Sequence, residues 1–228
     1  MIKIVVVNPK GGCGKSTIAT NLAAWCAVSG YRTALMDFDS QGSSTRWLTK
    51  RPPEKPLIQS IAAYERPERV TRSWQLRVLP ETQRLIVDTP AALDVRTLAE
   101  VTKDAHGIIV PVLPSDIDIH AASRCIGDLL LAAKINARED RIGVVANRVR
   151  QNTRVYRALM RFLDSLRIPV VGTLRDAQVY VQAAADGLGI FELQRHRVRK
   201  DIAQWESVLT WMNTRGQPPQ ERRLFSVS

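Results

Sequence analysis

Lys10-Gly11-Gly12-Cys13-Gly14-Lys15-Ser16-Thr17 is the stretch on which the reading of this chain turns. It follows the β-branched run Ile2 to Val7 and opens a pattern, Ile18, Leu22, Trp25 and Cys26, that repeats at helical spacing until Gly30. A strand, a glycine loop and a helix are therefore expected in immediate succession. Glycines at 11, 12 and 14 let backbone N–H groups, including that of Cys13, curl around a polyphosphate, and the helix N-terminus adds its positive end. Lys15 is placed to reach β- and γ-phosphates, Ser16 to ligate Mg²⁺ through its hydroxyl, and Thr17 to complete the loop. Pro9 stands where the common form of this loop has glycine. A glycine turn that merely starts a helix does not account for the intact Gly14-Lys15-Ser16-Thr17 ending.

Working outward, further short apolar runs lie at Thr33 to Asp37, Leu85 to Asp88, Gly107 to Leu113, Ile142 to Asn147 and Val170 to Leu174. Runs so short and so continuously apolar read as parallel strands buried on both faces. Helical patterns separate them: Ile117 to Lys134, Thr153 to Leu166 (with Val155, Leu159, Phe162, Leu163 and Leu166 on one face), and Asp201 to Met212. The expected fold is α/β, a doubly wound, mostly parallel twisted sheet flanked by helices, the P-loop NTPase arrangement. Lys50 to Trp74, with Pro52, Pro53, Pro56 and Pro67 among charges, is expected as loop and short helix. Residues 1–214 are expected to form one domain and 215–228, with Pro218-Pro219, a polar tail.

Composition narrows the class. With 228 residues the chain can hold one sizeable core, since domains run about 100–200 residues. Disordered, collagen-like and disulfide-scaffold classes are excluded. No window reaches the ~18 apolar residues of a membrane span, and Met1 to Val7 lacks a cleavage pattern, so no leader is expected. Three widely spaced cysteines, Cys13, Cys26 and Cys125, suit a reducing cytoplasm. Cys13 itself reads as a small filler. His106, His120 and His196 show no metal spacing. The formal net charge of +11 points to a polyanionic partner.

The second lysine of the loop, Lys10, makes the motif resemble the deviant Walker A of the ParA/MinD family of ATPases. Leu35-Met36-Asp37-Phe38-Asp39-Ser40-Gln41-Gly42 is similar to that family's second motif, although Ser40 replaces its usual proline. Leu85-Ile86-Val87-Asp88-Thr89-Pro90 resembles its Walker B, and Val110 to Ser115 its next strand and loop. The resemblance covers nearly the whole chain. It implies ATP and Mg²⁺ as cofactors, and a homodimer with ATP sandwiched between subunits, in which Lys10 reaches the partner's phosphates. Within that frame Lys10, Lys15 and Asp39 are the catalytic residues, Asp39 orienting the attacking water. Asp88 joins Ser16 around the metal through water, and Asp37 either holds the metal's water shell or stabilises the loop, because ligands bind at strand carboxyl ends in such sheets. Asn147 resembles the family's adenine contact, with Leu174 to Gln178 as the other wall. The guanine-selective signature is absent from Asn147-Arg148-Val149-Arg150, which favours ATP over GTP.

The positive charge is concentrated. Residues 138–175 hold nine arginines against three acids. Arg154, Arg157 and Arg161 share a helix face, Arg148 and Arg150 precede it, and Arg195, Arg197, Arg199 and Lys200 form a second cluster before the last helical pattern. Arginine forks suit phosphate oxygens, and the expected partner is non-specific double-stranded DNA. No N-terminal sequence-reading domain is expected. The resemblance thus implies a cytoplasmic, nucleoid-associated ATPase of weak intrinsic turnover that positions a cargo, with a cargo-linked protein stimulating hydrolysis. Pro114 to Ala121 and Asn147 to Arg150 resemble members that distribute carboxysomes; plasmid or chromosome partition is the alternative. A MinD-type membrane-bound role is disfavoured, because Arg215 to Ser228 makes a poor amphipathic anchor and no stable membrane binding is expected. An iron–sulfur reductase of related fold would need a cysteine pair near Asp88, and the chain has none there.

Overall fold

Alternation along the first strand sets the layers. In the computed structural model, Ile4 and Val6 of β1 (Ile2–Val6) enter one apolar cluster while Val5 and the following Val7 enter another. The structure describes residues 1–65, 77–91, 93–131, 133–135, 140–150, 153–165 and 168–215. The expected tail beyond Arg215, and Pro67 in the proline-rich stretch, lie outside the described residues.

The remaining strands are β2 (Thr33–Asp37), β3 (Ile58–Ala62), β4 (Arg84–Asp88), β5 (Gly107–Val112), β6 (Ile142–Val149) and β7 (Val170–Arg175). They form one seven-stranded sheet in the order β3-β2-β4-β1-β5-β6-β7, and every pairing among the described residues is parallel. The chain first winds from β1 toward β3, then returns across to β5 and β7. The switch falls beside β1, so the loop that follows β1 opens where such sheets bind ligands.

One face carries α3 (Val95–Thr102), α4 (Asp116–Leu131) and α5 (Arg154–Ser165), through Leu98, Ile126, Leu129, Leu159 and Leu163. The other carries α1 (Lys15–Val28) and α7 (Arg195–Thr214), through Ile18, Leu22, Trp205, Val208 and Met212. α7 lies so close to the sheet that a Cβ on Gly143 would stand 2.8–2.9 Å from Val171 and Trp211. Two short helices, α2 (Ser43–Thr49) and α6 (Gln178–Ala185), sit at the carboxyl ends of the strands.

Three expectations are corrected. The proline-rich stretch contains a strand, β3, where loop and short helix were expected. Its Ile58-Gln59-Ser60-Ile61-Ala62 lacks a β-branched run because among the described residues it pairs on one side only, with β2, an edge place that tolerates Pro56 just before it. The last helix begins at Arg195, not Asp201, so the second basic cluster forms its first turns. Val155, expected on the apolar stripe of α5, is 47% exposed, and the buried face rests on Leu159 and Leu163. No helix among the described residues is long and apolar enough to cross a membrane.

The segment after α6 clamps the helices over β1. Ile190 N–H donates to Asn21 Oδ1 at 2.9 Å, and Trp47 Nε1 donates to the Leu188 carbonyl at 3.3 Å. Arg51 and Glu192 pair in two parallel bonds of 2.8 and 2.7 Å, with side chains only 6% and 1% exposed. Removing one member leaves the other charge buried without its counter-ion, which costs about 3–5 kcal/mol. Glu192→Ala is therefore expected to lower the thermal midpoint by roughly 6–20 °C, and the double variant Arg51→Met, Glu192→Leu to recover most of it, as read by calorimetry.

Candidate functional site

The glycine loop is held from beneath by amides. Asn8 Nδ2 donates to the Pro111 carbonyl on β5 at 2.6 Å, while Asn8 Oδ1 accepts the Lys10 N–H at 2.8 Å. Asn147, at the end of β6, donates through Nδ2 to the Cys13 carbonyl at 2.8 Å and is 7% exposed. A Cβ on Gly14 would collide with that amide, and Gly14 is also left-handed at φ 96°. The motif glycine is thus required twice, by conformation and by space. Gly14 begins α1 without a side-chain cap, so the first-turn N–H groups remain for an anion.

Lys15 is 6% exposed, and its Nζ donates to the Lys10 carbonyl at 3.1 Å. The Cys13 thiol donates to the same carbonyl at 3.3 Å. Burial raises the Cys13 thiol above its ordinary value, so it stays protonated and packs as the expected filler. Lys10 is half-buried at the loop's mouth, and Gly11 and Gly12 are exposed. Ser16 and Thr17 are half-buried in the first turn of α1.

Asp37 and Asp88 end adjacent strands and are register partners, so two carboxylates face one another at the sheet's carboxyl edge. Both are buried, at 1% and 0% exposure. Asp37 is well supplied: Oδ1 accepts the Asp39 N–H at 3.0 Å, and Oδ2 accepts the Thr45 N–H at 2.9 Å and hydroxyl at 3.1 Å. Burial still raises its carboxyl above the ordinary range. Asp88 Oδ2 accepts the Ser44 hydroxyl at 2.6 Å, but Oδ1 has no hydrogen-bond partner among the described residues. Burial raises the Asp88 carboxyl to about 6, against favourable contributions from the Ser44 and Ser16 hydroxyls. An orphaned, buried carboxylate oxygen beside a loop serine fits a hard divalent cation such as Mg²⁺, held in part by its own waters. No cage of three or more His, Cys, Asp or Glu occurs among the described residues.

The three acids expected together are gathered at one end of the sheet, but not symmetrically. β4 with Asp88 lies beside β1, whereas β2 with Asp37 lies one strand farther out. Asp39 sits half-buried on the loop between β2 and α2, where Oδ1 accepts the Gln41 N–H at 2.9 Å. Ser40, in the place of the usual proline, is exposed.

Asn147 and the stretch Leu174 to Gln178, expected as facing walls, do line one cavity of about 610 Å³, together with Thr17, Tyr180 and Trp205. Sequence reasoning missed that Asn147 also braces the phosphate loop, and that Tyr180 and Trp205 join the wall through a 3.0 Å bond from indole Nε1 to the phenol oxygen. A wider cleft of about 760 Å³, near Asp140, Pro169 and Trp211, lies where β6 and β7 begin, at the opposite end of the sheet.

The basic residues divide between the two layers. Arg154, Arg157 and Arg161 are exposed on α5, and Arg195, Arg197, Arg199 and Lys200 are exposed on the first turns of α7. These helices cover opposite faces of the sheet. Arg148 and Arg150 are exposed at the end of β6, Arg148 in the left-handed region at φ 49° and Arg150 3.4 Å from Asp176. Arg175 does not belong to the surplus, because it pairs in two bonds of 2.7 and 2.9 Å with the fully buried Asp201.

Comparison with known proteins bears on this geometry. Residues 4–190 match the family described as the CobQ/CobB/MinD/ParA nucleotide binding domain. The chain is 30% identical over 208 residues to the maintenance of carboxysome distribution protein A of Gloeobacter kilaueensis, covering 90% of this chain and 91% of that one. It is 29% identical over 191 residues to the protein of the same name from Halothiobacillus neapolitanus, covering 83% and 87%. A solved structure of a putative plasmid partition protein from Borrelia burgdorferi bound to AMPPNP superposes with a TM-score of 0.72, at 17% identity over 92% of this chain and 98% of that one.

The raised Asp88 carboxyl has a measurable consequence. Between its ordinary value of 3.8 and about 6 the folded chain binds more protons at this group than the unfolded chain, so Asp88 lowers stability as pH rises through that window. Asp88→Asn is expected to raise the midpoint of the nucleotide-free protein in EDTA at pH 7.5. The gain should be on the order of 1–3 kcal/mol, and it should shrink to about a third of that at pH 4.5. Thermal melts at the two pH values check the sign.

Proposed function

This chain belongs to the CobQ/CobB/MinD/ParA nucleotide-binding family, and from that premise we propose that it is a ParA-type ATPase that positions an intracellular cargo. The observation that carries the reading is the convergence on one sheet edge of the capless α1 terminus, the buried Lys15 and the orphaned Asp88 oxygen. ATP phosphates take the place of the Lys10 carbonyl as the partner of Lys15 Nζ, and the first-turn N–H groups hold the remaining oxygens. Ser16 and Asp88 hold Mg²⁺, with Asp37 outside them; the ion, when bound, neutralises charge on the transferred phosphoryl group. Asp39 orients the attacking water, and Lys10 reaches the phosphates of a second subunit in a homodimer. Adenine occupies the cavity between Asn147 and Leu174 to Gln178.

The exposed arginines of α5 and α7 straddle the edge strand β7, with Arg148 and Arg150 between them at its carboxyl end. That arrangement suits the two strands of a duplex backbone and carries no base-reading element, so DNA binding is non-specific and salt-dependent. Dimerisation doubles the surface and makes the grip depend on ATP. Two relatives about 30% identical over most of both chains carry the name of carboxysome distribution proteins, which supports a protein organelle as cargo, with a cargo-linked protein stimulating a slow turnover.

Lys15→Ala is expected to abolish binding of a fluorescent ATP analogue. Asp39→Ala should keep that binding and lose hydrolysis by at least about tenfold; ordinary phosphate release from the Asp39 variant removes its assigned role. Reversing Arg154, Arg157 and Arg161 to Glu should weaken ATP-dependent binding to random-sequence DNA and flatten its salt dependence by about one unit of slope per lost contact. Unchanged gel shifts across a salt series place the DNA surface elsewhere.

A further inference from the structure

Ser44 stands outside every motif quoted from the sequence, yet it makes the shortest bond to the Asp88 carboxylate. It is the second residue of α2 and fully buried, and its hydroxyl donates to Asp88 Oδ2 at 2.6 Å. The next residue, Thr45, donates through N–H and hydroxyl to Asp37 Oδ2. Two successive hydroxyls therefore moor the start of α2 to the two register-paired carboxylates. The loop that carries Asp39 is fixed at its other end as well. Phe38 N–H donates to the Asp88 carbonyl at 3.0 Å, and Asp39 N–H to Asp37 Oδ1 at 3.0 Å. Between these anchors the loop closes on itself through Gly42 N–H to the Asp39 carbonyl at 2.7 Å. Asp88 thus touches both ends of the Asp39 loop, by its backbone at Phe38 and by its side chain at Ser44, and keeps one oxygen unengaged.

We propose that Ser44 is a positioning residue of the nucleotide site: it turns the Asp88 carboxylate so that Oδ1 faces the metal, and it couples that carboxylate to the loop carrying Asp39. The inference rests on the ATPase reading above. With Oδ2 held by Ser44, the carboxylate plane is set and only Oδ1 remains to accept a metal-bound water. A change at Asp88 on metal binding is then passed through a single buried hydrogen bond to α2, and through α2 to Asp39. Deletion of the hydroxyl leaves Oδ2 buried without a donor and frees the carboxylate to rotate about its side-chain torsion.

The test compares the wild-type chain with Ser44→Ala, which deletes the donor, and with Ser44→Cys, which keeps a larger and weaker one. Binding of a fluorescent ADP analogue is measured in EDTA and across a Mg²⁺ titration, and hydrogen exchange is followed over residues 38–46. Both variants should bind the nucleotide within about twofold of wild type in EDTA. Both should need at least about tenfold more Mg²⁺ for its effect on nucleotide binding, and kcat should fall with little change in KM for ATP. Exchange at Asp39 and Gly42, which Mg²⁺-nucleotide should slow in wild type, should lose that response in both variants. A Ser44 that serves only to seat α2 would lower the melting temperature and leave the Mg²⁺ requirement and the exchange response unchanged; that result overturns the proposal. A wild-type chain that binds no nucleotide overturns the ATPase reading itself, which separates the two failures.

Discussion

Two carboxylates, Asp37 and Asp88, are held opposite one another at the ends of buried neighbouring strands, and the site is arranged around keeping both there. Like charges at directly paired positions repel, and burial removes the water that would screen them. The chain offsets this with donors drawn almost entirely from the next ten residues: the Asp39 and Thr45 N–H groups and the Thr45 and Ser44 hydroxyls. The loop between β2 and α2 is shaped by the obligation to supply those bonds. One oxygen, Asp88 Oδ1, has no hydrogen-bond partner among the described residues. A buried polar atom left so is a cost to folding that a bound cation removes, which ties the energetics of the nucleotide-free chain to its proposed chemistry.

The phosphate loop follows the same logic with the opposite charge. Lys15 is buried, with its ammonium on the Lys10 carbonyl. Asn8 and Asn147 hold the loop's own polar groups from below, and the exposed glycines at 11 and 12 leave its upper rim open. The order of strands brings the basic loop and Asp88 into adjacent places, because β4 lies directly beside β1.

Much of this was legible in the chain. The strand, glycine loop and helix around Lys10 to Thr17 were legible because the motif sets particular residues at particular spacings in one continuous segment. Six of the seven strands were readable: the five central ones are apolar on both faces, and the edge strand β7 keeps an apolar run because Val171 and Leu174 pack with Trp205 and Val208 of α7. β3 was not, since an edge strand with Gln59 and Ser60 in it carries no such run. The start of α7 was hidden because Arg195 to Lys200 presents only Val198 to the core, which gives no apolar period. Asn147 was picked out by position, but its bond to the Cys13 carbonyl spans 134 residues and leaves no local signal.

The sequence by itself determined the strand–loop–helix unit, the lysine expected to meet phosphate and the surplus of arginine, because each depends on residues close together in the chain. Tertiary structure alone decided which carboxylates meet, that Arg175 is paired and which hydroxyl completes Asp88. Arg175 counts as surplus charge in the sequence, but the fold pairs it with Asp201 on α7. Ser44 resembles any surface serine in the sequence, but the register of β2 against β4 buries it on Asp88. Such pairings are set by strand order and helix docking, through contacts between distant residues whose geometry does not exist until the sheet has formed.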